Sequence, residues 1–496
     1  MTGAYATLEA RFKRLGLVNE ALAMLNWDTA AMMPEGAATA RAEQLAELKV
    51  IAHELLADPR LADLIDGAAH DGLDDWQRAN LGEMRRLWLH ATAVPADLVA
   101  AYSRACSECE MAWRKARPAN DYASIRPLLQ RVLDLTREVA AAKSEKLGTS
   151  PYEALLDQFE PGGRVAEIDQ LFDRLAARLP ALIENALAVQ AARTPPRRPA
   201  GPFPVEAQRQ AARRLMERLG FEFDHGRLDQ SLHPFCGGTP DDVRITTRYD
   251  ESDFARALMG VLHETGHALY ERGLPAAWRR QPVGEARGMS IHESQSLLIE
   301  MQVCRSREFL EFAAPILRAS FDASGPEWTA ENLYRLGTRV ARSLIRVDAD
   351  EVTYPAHVIL RYRLERALIA DELDLTDLPD AWSEGMERLL AVTSPDDRNG
   401  CLQDIHWYDG AWGYFPTYTL GAMTAAQLFD AAKRAVPAIP SAIARGDFTP
   451  LLGWLRANVH GLGSRFSASE ILARATGGPL DAAIFEAHLR ARYLAA

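Results

Sequence analysis

Two histidines and a glutamate form the residue pattern with the clearest capacity for chemistry. Residues 263 to 267 read His-Glu-Thr-Gly-His, which matches the HExxH pattern. Residues four apart on an α-helix lie on one face, so His263 and His267 can both reach one zinc ion. Glu264 is rotated by about 100° around the helix, where it can act as a general base without binding the metal. The pattern therefore predicts a catalytic zinc centre.

A chance origin of this pentapeptide is the weaker interpretation. The chain has 12 histidines in 496 residues. Random placement then gives on the order of 0.02 such strings. The alternative is a helix whose two histidines serve only packing or surface polarity.

A catalytic zinc needs a third protein ligand and one open position. Glu293, which stands 26 residues after His267, is the first candidate for that ligand. His292 is the second candidate and Glu300 the third. The metzincin pattern is absent, because Gly273 stands where its third histidine would be.

The residues that orient the two histidines are not evident from the sequence. Thermolysin-like sites often have an aspartate four residues after the ligand glutamate, but Leu297 occupies that position. The partners of the histidine rings must therefore come from elsewhere in the chain.

The HExxH pattern lies within a predicted helix from Ser252 to Arg272, because its apolar residues follow a helical spacing. Asp250 and Ser252 are the candidate N-caps, and Gly273 followed by Pro275 predicts the end of the helix. A strand is predicted just before it at Asp242–Tyr249, where apolar and polar residues alternate. We expect a small sheet beside the metal, with an edge that could pair with an extended peptide.

The rest of the chain is predicted to be mainly α-helical and globular. Hydrophobic residues make up 48% and charged residues 25% of the sequence. Helical spacing dominates residues 4–57, 75–147, 163–193, 205–219 and most of 300–390. The proline-rich segment 194–204 is the one clear loop. We interpret it as a surface connection inside a single unit of residues 1–496, between an N-terminal helical half of about 1–195 and a catalytic half of about 205–496.

Composition also argues against several partners and compartments. The net charge of −12 argues against nucleic acid as a partner. The sequence has no signal-peptide pattern at its start and no apolar run long enough for a membrane span. Five scattered cysteines indicate a reducing cytoplasm. Cys106 and Cys109 form a lone CxxC, for which a redox or zinc role is the minor alternative.

Six short motifs, in order, make the chain resemble the thermostable carboxypeptidase Taq family of zinc metallocarboxypeptidases. The motifs are His233-Pro-Phe235, Asp242-Val-Arg244-Ile-Thr246, His263-Glu264-Thr-Gly-His267, His292-Glu293-Ser-Gln295, Ile345-Arg346-Val-Asp-Ala-Asp350, and Gly400-Cys-Leu-Gln403-Asp404-Ile-His406-Trp407. The segments Leu25–Asp28 and Tyr152–Gly162 are also similar to the family. The resemblance runs nearly from end to end.

The resemblance implies a fold, an activity and an assembly. It implies a mainly helical single unit with a deep groove, with the metal at the groove floor, as in angiotensin-converting enzyme and neurolysin. It also implies a homodimer that removes single residues from the C-termini of peptides. By matching position, His263, His267 and Glu293 should bind the metal, and Glu264 should be the general base. Zinc is the default ion, and cobalt is the alternative in this family.

An exopeptidase also needs a cation for the terminal carboxylate of its substrate, and the planar fork of arginine suits that anion. Arg346, expected on a helix lining the groove, is the first candidate and Arg244 the second. The alternative is a structural salt bridge, for Arg346 with the nearby Asp348 or Asp350.

The final motif leads into an aromatic loop with further candidates for substrate contact. His406 could donate to the oxyanion or touch the substrate, or the loop could only pack the groove wall. Tyr414 and His233 are weaker candidates of the same kind, and Gln403 and Asp404 could support the residues that touch substrate. Two rival functions stay open. One is an endo-oligopeptidase or dipeptidyl carboxypeptidase of the same zinc class, and the other is a non-catalytic peptide-binding dimer with a structural metal.

Overall fold

The computed structural model describes residues 3–495, and helices account for most of them. The α-helices are Ala4–Ala31 (α1), Ala38–Leu56 (α2), Arg60–Ala68 (α3), Asp75–Thr92 (α4), Ala96–Ala119 (α5), Tyr122–Leu147 (α6), Pro151–Leu156 (α7), Val165–Ala191 (α8), Val205–Leu219 (α9), Phe254–Gly273 (α10), Gly288–Leu297 (α11), Arg307–Ser320 (α12), Ala330–Gly337 (α13), Tyr354–Ile369 (α14), Leu378–Leu390 (α15), Pro416–Ala435 (α16), Ile439–Ala444 (α17), Thr449–Asn458 (α18), Ala468–Thr476 (α19) and Ala482–Tyr493 (α20). A π-helical segment, Leu298–Cys304, continues directly from α11. None of the helices in residues 3–495 has the length and apolar character needed to cross a lipid bilayer.

A small mixed sheet lies beside α10. Its strands are Gly226–Gln230 (β1), Phe235–Thr239 (β2) and Asp242–Thr247 (β3), in the order β1-β3-β2. β3 is parallel to β1 and antiparallel to β2. The strand expected at 242–249 therefore forms the centre of the sheet, and β2 is an edge strand that packs against α1 and α10. The prediction of a mainly helical fold with a small sheet beside the HExxH helix is confirmed.

The helix that carries HExxH is capped one residue after Ser252 and three residues after Asp250, the two expected caps. Asp253 is its N-cap, and the Asp253 carboxylate accepts from the backbone N–H groups of Ala255 and Arg256. Asp250 instead accepts from the N–H and hydroxyl of Ser252, so these two residues form the turn before the helix. An aspartate cap satisfies N–H groups that have no partner within the helix and complements the helix dipole.

The main hydrophobic core does not divide at the loop 194–204. It includes Leu133 of α6 and Phe172 of α8 together with Leu262 of α10, although the loop itself is irregular as expected. A second, smaller core joins α1, α3 and α4 around Leu8, Leu61 and Met84. In the described residues, the boundary between the two hydrophobic cores therefore lies after α4 and not at the proline-rich segment.

Helix α1 is attached to the sheet by the ring of Trp27, which contacts two arginines on the strands. The buried indole of Trp27 lies 4.2 Å from the guanidinium carbon of Arg244 on β3 and 5.2 Å from that of Arg227 on β1. Arg227 and Arg244 are register partners across the parallel pair. Such cation–π contacts stabilise by about 0.5–2 kcal/mol each, so they fix the end of α1 over the strands.

Most of residues 300–390 is helical as predicted, but residues 338–353 are not. This segment contains only one 3-10 turn, Arg346–Asp348, so Arg346 does not stand on an α-helix as expected. The reason lies in Asp350, whose carboxylate accepts from the backbone N–H groups of Ala341, Val352 and Thr353. Side-chain acceptors of this kind compete with the i to i−4 bonds of a helix.

Candidate metal centre and active site

Three donor atoms from two packed helices converge at the end of the HExxH pattern. The Nε2 atoms of His263 and His267 lie 3.9 Å and 3.4 Å from Oε2 of Glu293. All three ligand atoms lie within 4.8 Å of one another. α10 supplies the histidines and α11 the glutamate, as expected from the spacing. The side chain of His263 keeps 21% of its surface exposed, so the centre is open to solvent on that side.

The donor set and its dimensions fit a divalent cation. Ligand atoms about 2.0–2.2 Å from a tetrahedral zinc are separated by roughly 3.3–3.6 Å, close to the two donor distances seen here. Two imidazoles and one carboxylate are also the ligand set of many catalytic zinc centres. His292, the alternative third ligand, is outside this group, because its own ring nitrogens contact His267 and Glu271.

The ring of His263 is oriented by a buried carboxylate. Its Nδ1 lies 3.0 Å from Oε2 of Glu300, which stands in the π-helical segment. The other oxygen of Glu300 accepts from Arg305 at 2.7 Å. Burial raises the pKa of Glu300, but Arg305 and His263 outweigh it and hold that pKa below its usual value. Glu300, the third candidate for a metal ligand, therefore lies behind His263 and leaves Nε2 directed at the site.

The ring of His267 is oriented by His292, the residue next to Glu293. Its Nδ1 lies 3.1 Å from the carbonyl oxygen of His292 and 2.7 Å from Nδ1 of His292. The Nε2 of His292 is 2.8 Å from Oε1 of Glu271. If Nδ1 of His267 carries the hydrogen, it can donate to His292 while Nε2 stays a ligand atom.

Two glycines allow the helices around the metal centre to approach closely. A Cβ on Gly266, inside HExxH, would lie 2.6 Å from the Cα of Ser296 and against the carbonyl of Gln295. A Cβ on Gly421 of α16 would lie 2.9 Å from Cβ and Cγ of Glu293. Since real Cβ atoms do not make such contacts, α10 and α16 can pack this tightly against α11 only with glycine at these positions.

Glu264 is buried between the ligands and the edge strand. Burial raises its pKa, and Glu293 raises it further, while His263 and the backbone N–H of Cys236 on β2 lower it. A buried carboxylate with a raised pKa holds a proton more readily than an exposed one, as a general base requires.

Arg346 is held by a buried ion-pair cluster. Its Nε and Nη2 both donate to Oδ1 of Asp404, at 3.0 Å and 2.8 Å, and its backbone N–H donates to Gln403. Arg361 donates to the other oxygen of Asp404 at 2.6 Å. Arg346 thus has a structural partner, but it is Asp404 and not Asp348 or Asp350. Its Nη1 is left out of the pair with Asp404.

An aromatic wall lies over Arg346 on the side of Glu293, and it consists of Tyr354, His406, Tyr414 and Tyr418. The guanidinium carbon of Arg346 lies 4.7 Å from the ring centre of Tyr418. The Tyr418 hydroxyl is 3.1 Å from Nε2 of His406, and its ring packs against Tyr414 at 5.1 Å. The carboxylate of Glu293 adds to burial in raising the pKa of Tyr354, Tyr414 and Tyr418. Arg346, His406 and Tyr414 are therefore close together and beside the metal centre.

Comparison with known proteins identifies the family. The family model of the carboxypeptidase Taq (M32) metallopeptidases matches residues 7–493. The chain is 40% identical to thermostable carboxypeptidase 1 of Thermus thermophilus over 491 residues, and this aligned region covers 95% of each chain. The chain belongs to the carboxypeptidase Taq family. It is a metal-dependent carboxypeptidase.

Solved structures of relatives share the whole fold of this metallocarboxypeptidase. Metallocarboxypeptidase 1 of Trypanosoma cruzi superposes with a TM-score of 0.97, at 39% identity and 99% coverage of both chains. An M32 carboxypeptidase from Deinococcus radiodurans superposes with a TM-score of 0.93, at 37% identity, covering 99% of this chain and 98% of that one.

Two of the expected substrate residues lie at the sheet and not at the aromatic wall. Arg244 pairs with Asp242 through two hydrogen bonds, at 3.1 Å and 2.8 Å, and packs on Trp27. His233 is exposed in the β1–β2 connection, and its carbonyl accepts from Ser231. The described contacts of this metallocarboxypeptidase do not join either side chain to His263, His267 or Glu293.

Sequence reasoning missed several residues around the centre. Tyr354 and Tyr418 were not singled out for Arg346, and Glu300 and His292 were considered only as ligands. A usable signal existed for Glu300, because it stands seven residues after Glu293, about two helical turns. No comparable local signal marks Tyr354. It lies near Arg346 only because the chain between the two residues is irregular.

Proposed function

We propose that this metallocarboxypeptidase holds zinc through His263, His267 and Glu293 and releases single amino acids from the C-termini of peptides. The observation that carries the proposal is the convergence of three ligand atoms within 4.8 Å, directly beside a buried carboxylate at Glu264. A structural metal would not need that carboxylate, which argues against a non-catalytic peptide-binding protein. Cobalt is the alternative ion, since this ligand set also suits other divalent metals.

The protein groups supply proton transfer around the metal. A divalent cation in such a site polarises a carbonyl and lowers the pKa of a coordinated water. Glu264 accepts the proton of the attacking water and returns it to the amine that leaves. Glu300 and His292 hold the rings of His263 and His267 in place, so that Nε2 of each is available to the cation.

Recognition of the terminal carboxylate is assigned to Arg346. Asp404 fixes one edge of the guanidinium, which keeps Arg346 oriented at little entropic cost and leaves Nη1 for a substrate anion. His406 stands beside it as a neutral imidazole, because burial and then Arg346 lower its pKa to about 4. Its Nδ1 is buried and has no hydrogen-bond partner among the described residues. We assign His406 and Tyr414 to substrate contact on this wall.

A peptide on the other side of the metal centre can lie along the edge strand. β2 has an unpaired edge among the three described strands and packs against α10 near Glu264. Main-chain pairing with such an edge gives affinity that does not depend on sequence. His233 precedes β2, and Arg244 lies on β3 with Trp27, so both are assigned to the bound peptide away from its C-terminus.

The assembly and compartment are also proposals. We assign a homodimer from the family resemblance, with peptides as substrates and no nucleic-acid or membrane partner. The net charge of −12 supports the exclusion of nucleic acid. We assign the enzyme to the cytoplasm, which is supported by five cysteines that are all free thiols.

The test is a time course of cleavage on a pair of peptides that differ only in a free or amidated C-terminus. We expect one residue at a time to leave the free C-terminus, as followed by mass spectrometry, and no product after chelation. Glu264→Gln should keep its metal and lose at least roughly a hundredfold in turnover. Release of dipeptides, or internal cleavage of the amidated peptide, would favour the other enzymes of this zinc class.

A further inference from the structure

An open cavity of about 630 Å³ lies where α8, α13 and α20 meet. Its walls come from the C-terminal end of α8, the segment after it, the end of α13 with residues 338–340, and the end of α20. The volume falls within the range of sites for small molecules, about 300–1,000 Å³. None of the residues of the metal centre or the aromatic wall lines it.

Arginine dominates the polar lining of this cavity. Five arginines contribute to its walls, and no aspartate or glutamate among the described residues does so: Arg193, Arg307, Arg335, Arg339 and Arg492. The chain as a whole carries a net charge of −12. A cluster of positive side chains makes the electrostatic potential inside the cavity positive, although the protein as a whole is negatively charged.

Three of these arginines have no carboxylate partner among residues 3–495. Nη2 of Arg193 donates to the carbonyl of Ala495 at 2.6 Å, and Arg335 donates to the carbonyl of Thr194. These bonds position the guanidinium groups without neutralising their charge. Arg339 is exposed, and its guanidinium takes part in none of the described hydrogen bonds or ion pairs. By contrast, Arg307 pairs with Glu331 and Arg492 with Glu351.

The backbone of these walls and two of the arginines are held in place by contacts within the protein. Gln190 of α8 and the backbone of Val340 exchange two hydrogen bonds, at 3.0 Å and 2.9 Å. Arg307 lies 4.0 Å over the ring of Tyr334. Arg492 donates to the carbonyls of Met301 and Gln302 at the end of the π-helical segment. The arrangement therefore needs little reorganisation to receive a ligand.

We propose that this cavity is a binding site for a small organic or inorganic oxyanion that carries at least two negative charges. Planar guanidinium groups form paired hydrogen bonds with phosphate and carboxylate oxygens. A single charge would leave most of the positive potential uncompensated, which is why the site favours multivalent anions. The ligand is thus a phosphorylated or polycarboxylate small molecule, and the inference is independent of the peptidase reaction.

The test measures binding to the full-length, metal-loaded protein by isothermal titration calorimetry at constant ionic strength. Inorganic phosphate and tricarballylate serve as the two probes, since both chelate zinc weakly, and the metal content is checked after each titration. We expect one probe molecule to bind per chain. Binding of phosphate alone identifies a phosphorylated ligand, binding of tricarballylate alone identifies a polycarboxylate, and binding of both supports the shared chemistry.

Matched variants locate the binding. Arg339→Glu should raise Kd at least roughly tenfold, because it places a negative charge among the arginines without breaking a described bond. Arg193→Ala should also weaken binding. The control is Arg198→Glu. Arg198 is an exposed arginine in the proline-rich segment 194–204, and it does not line the cavity. Binding of neither probe, an unchanged Kd in Arg339→Glu, or an equal loss in Arg198→Glu would overturn the proposal.

Discussion

Glu300 lies behind His263, a residue of the candidate metal centre, with 3.0 Å between its Oε2 and the ring Nδ1. The two residues are 37 positions apart, on α10 and on the π-helical segment after α11. Arg305 keeps the carboxylate charged by donating to its other oxygen. A charged acceptor at Nδ1 makes Nε2 a better electron donor and fixes the ring plane. Leu297, four residues after Glu293, cannot accept a hydrogen bond from an imidazole through its side chain, and Glu300, seven residues after Glu293, is the acceptor here.

Removal of this carboxylate should weaken metal binding. Glu300→Ala leaves the Nδ1 side of His263 without its acceptor, so metal affinity should fall about 10–100-fold. Competition with a chromophoric chelator measures this affinity. Glu300→Gln should lose less, since its amide oxygen can still accept. Glu311→Ala, on the exposed face of α12, is the control. Equal affinities in all of these proteins would mean that Glu300 does not support the ligand.

A second prediction concerns the close approach of α10 and α11 at Gly266. Gly266→Ala would press a methyl group against the backbone of Gln295 and Ser296. Backbone atoms cannot rotate away, so α11 must shift and carry Glu293 with it. We expect lower metal content by elemental analysis and a lower melting temperature. The matched control is Gly260→Ala in the same helix, where no atom lies within 4 Å of the added Cβ. That change should be neutral or stabilise by up to about 1 kcal/mol. A Gly266→Ala protein with full metal content would show that the helices can separate without loss of the site.

A third prediction concerns acid stability and the buried residue Glu351. Burial raises its pKa, but Arg492 and His488 outweigh burial and hold the pKa well below its usual value. A depressed folded-state pKa stabilises the fold above the unfolded value, about 4.3, and that contribution is lost as pH falls toward the folded-state pKa. Glu351→Gln should therefore have a lower melting temperature than the parent at pH 7. The difference should narrow as pH falls below about 4. A difference that stays constant from pH 7 to pH 3 would contradict this assignment.

The local parts of the site could be predicted from the sequence, and its long-range partners could not. His263, His267 and Glu293 follow from spacing on two helices, since α10 and α11 each keep a regular period. The partner of Arg346 is Asp404, which is 58 residues away. The neighbouring aspartates of its own motif were the wrong choices, because one of them, Asp350, binds backbone N–H groups.

The same distinction holds for the fold. Helices with strong periodicity, such as α9 at Val205–Leu219, match their predicted bounds. Residues 338–353 have helical composition but not helical structure, because side-chain bonds from Asp350 replace the helical ones. The second core of α1, α3 and α4 depends on contacts between segments about 50–80 residues apart in the chain. The spacing of apolar residues within one helix does not predict which other helix it will pack against.

The last prediction concerns the residue that makes this enzyme an exopeptidase. A free substrate carboxylate buried beside Glu293 needs a cationic partner, because an unpaired buried charge is costly. If Arg346 is that partner, Arg346→Ala should lose about 2–5 kcal/mol of transition-state binding. Arg346→Lys should already be damaging, since a point charge cannot both keep the two bonds to Asp404 and pair with the substrate. The measurement is kcat/KM on peptides with a free or amidated C-terminus.

The comparison with Arg244 decides between the two candidates. Arg244 is tied to Asp242 and Trp27 at the sheet, so Arg244→Ala should lower kcat/KM on both peptides by a similar factor. Arg346→Ala should instead remove most of the preference for the free C-terminus, because only the terminal carboxylate depends on it. If Arg244→Ala abolished that preference while Arg346→Ala preserved it, the two roles would be exchanged. If neither variant changed it, the end of the substrate would be recognised by shape alone, and an endopeptidase of the same zinc class would regain support.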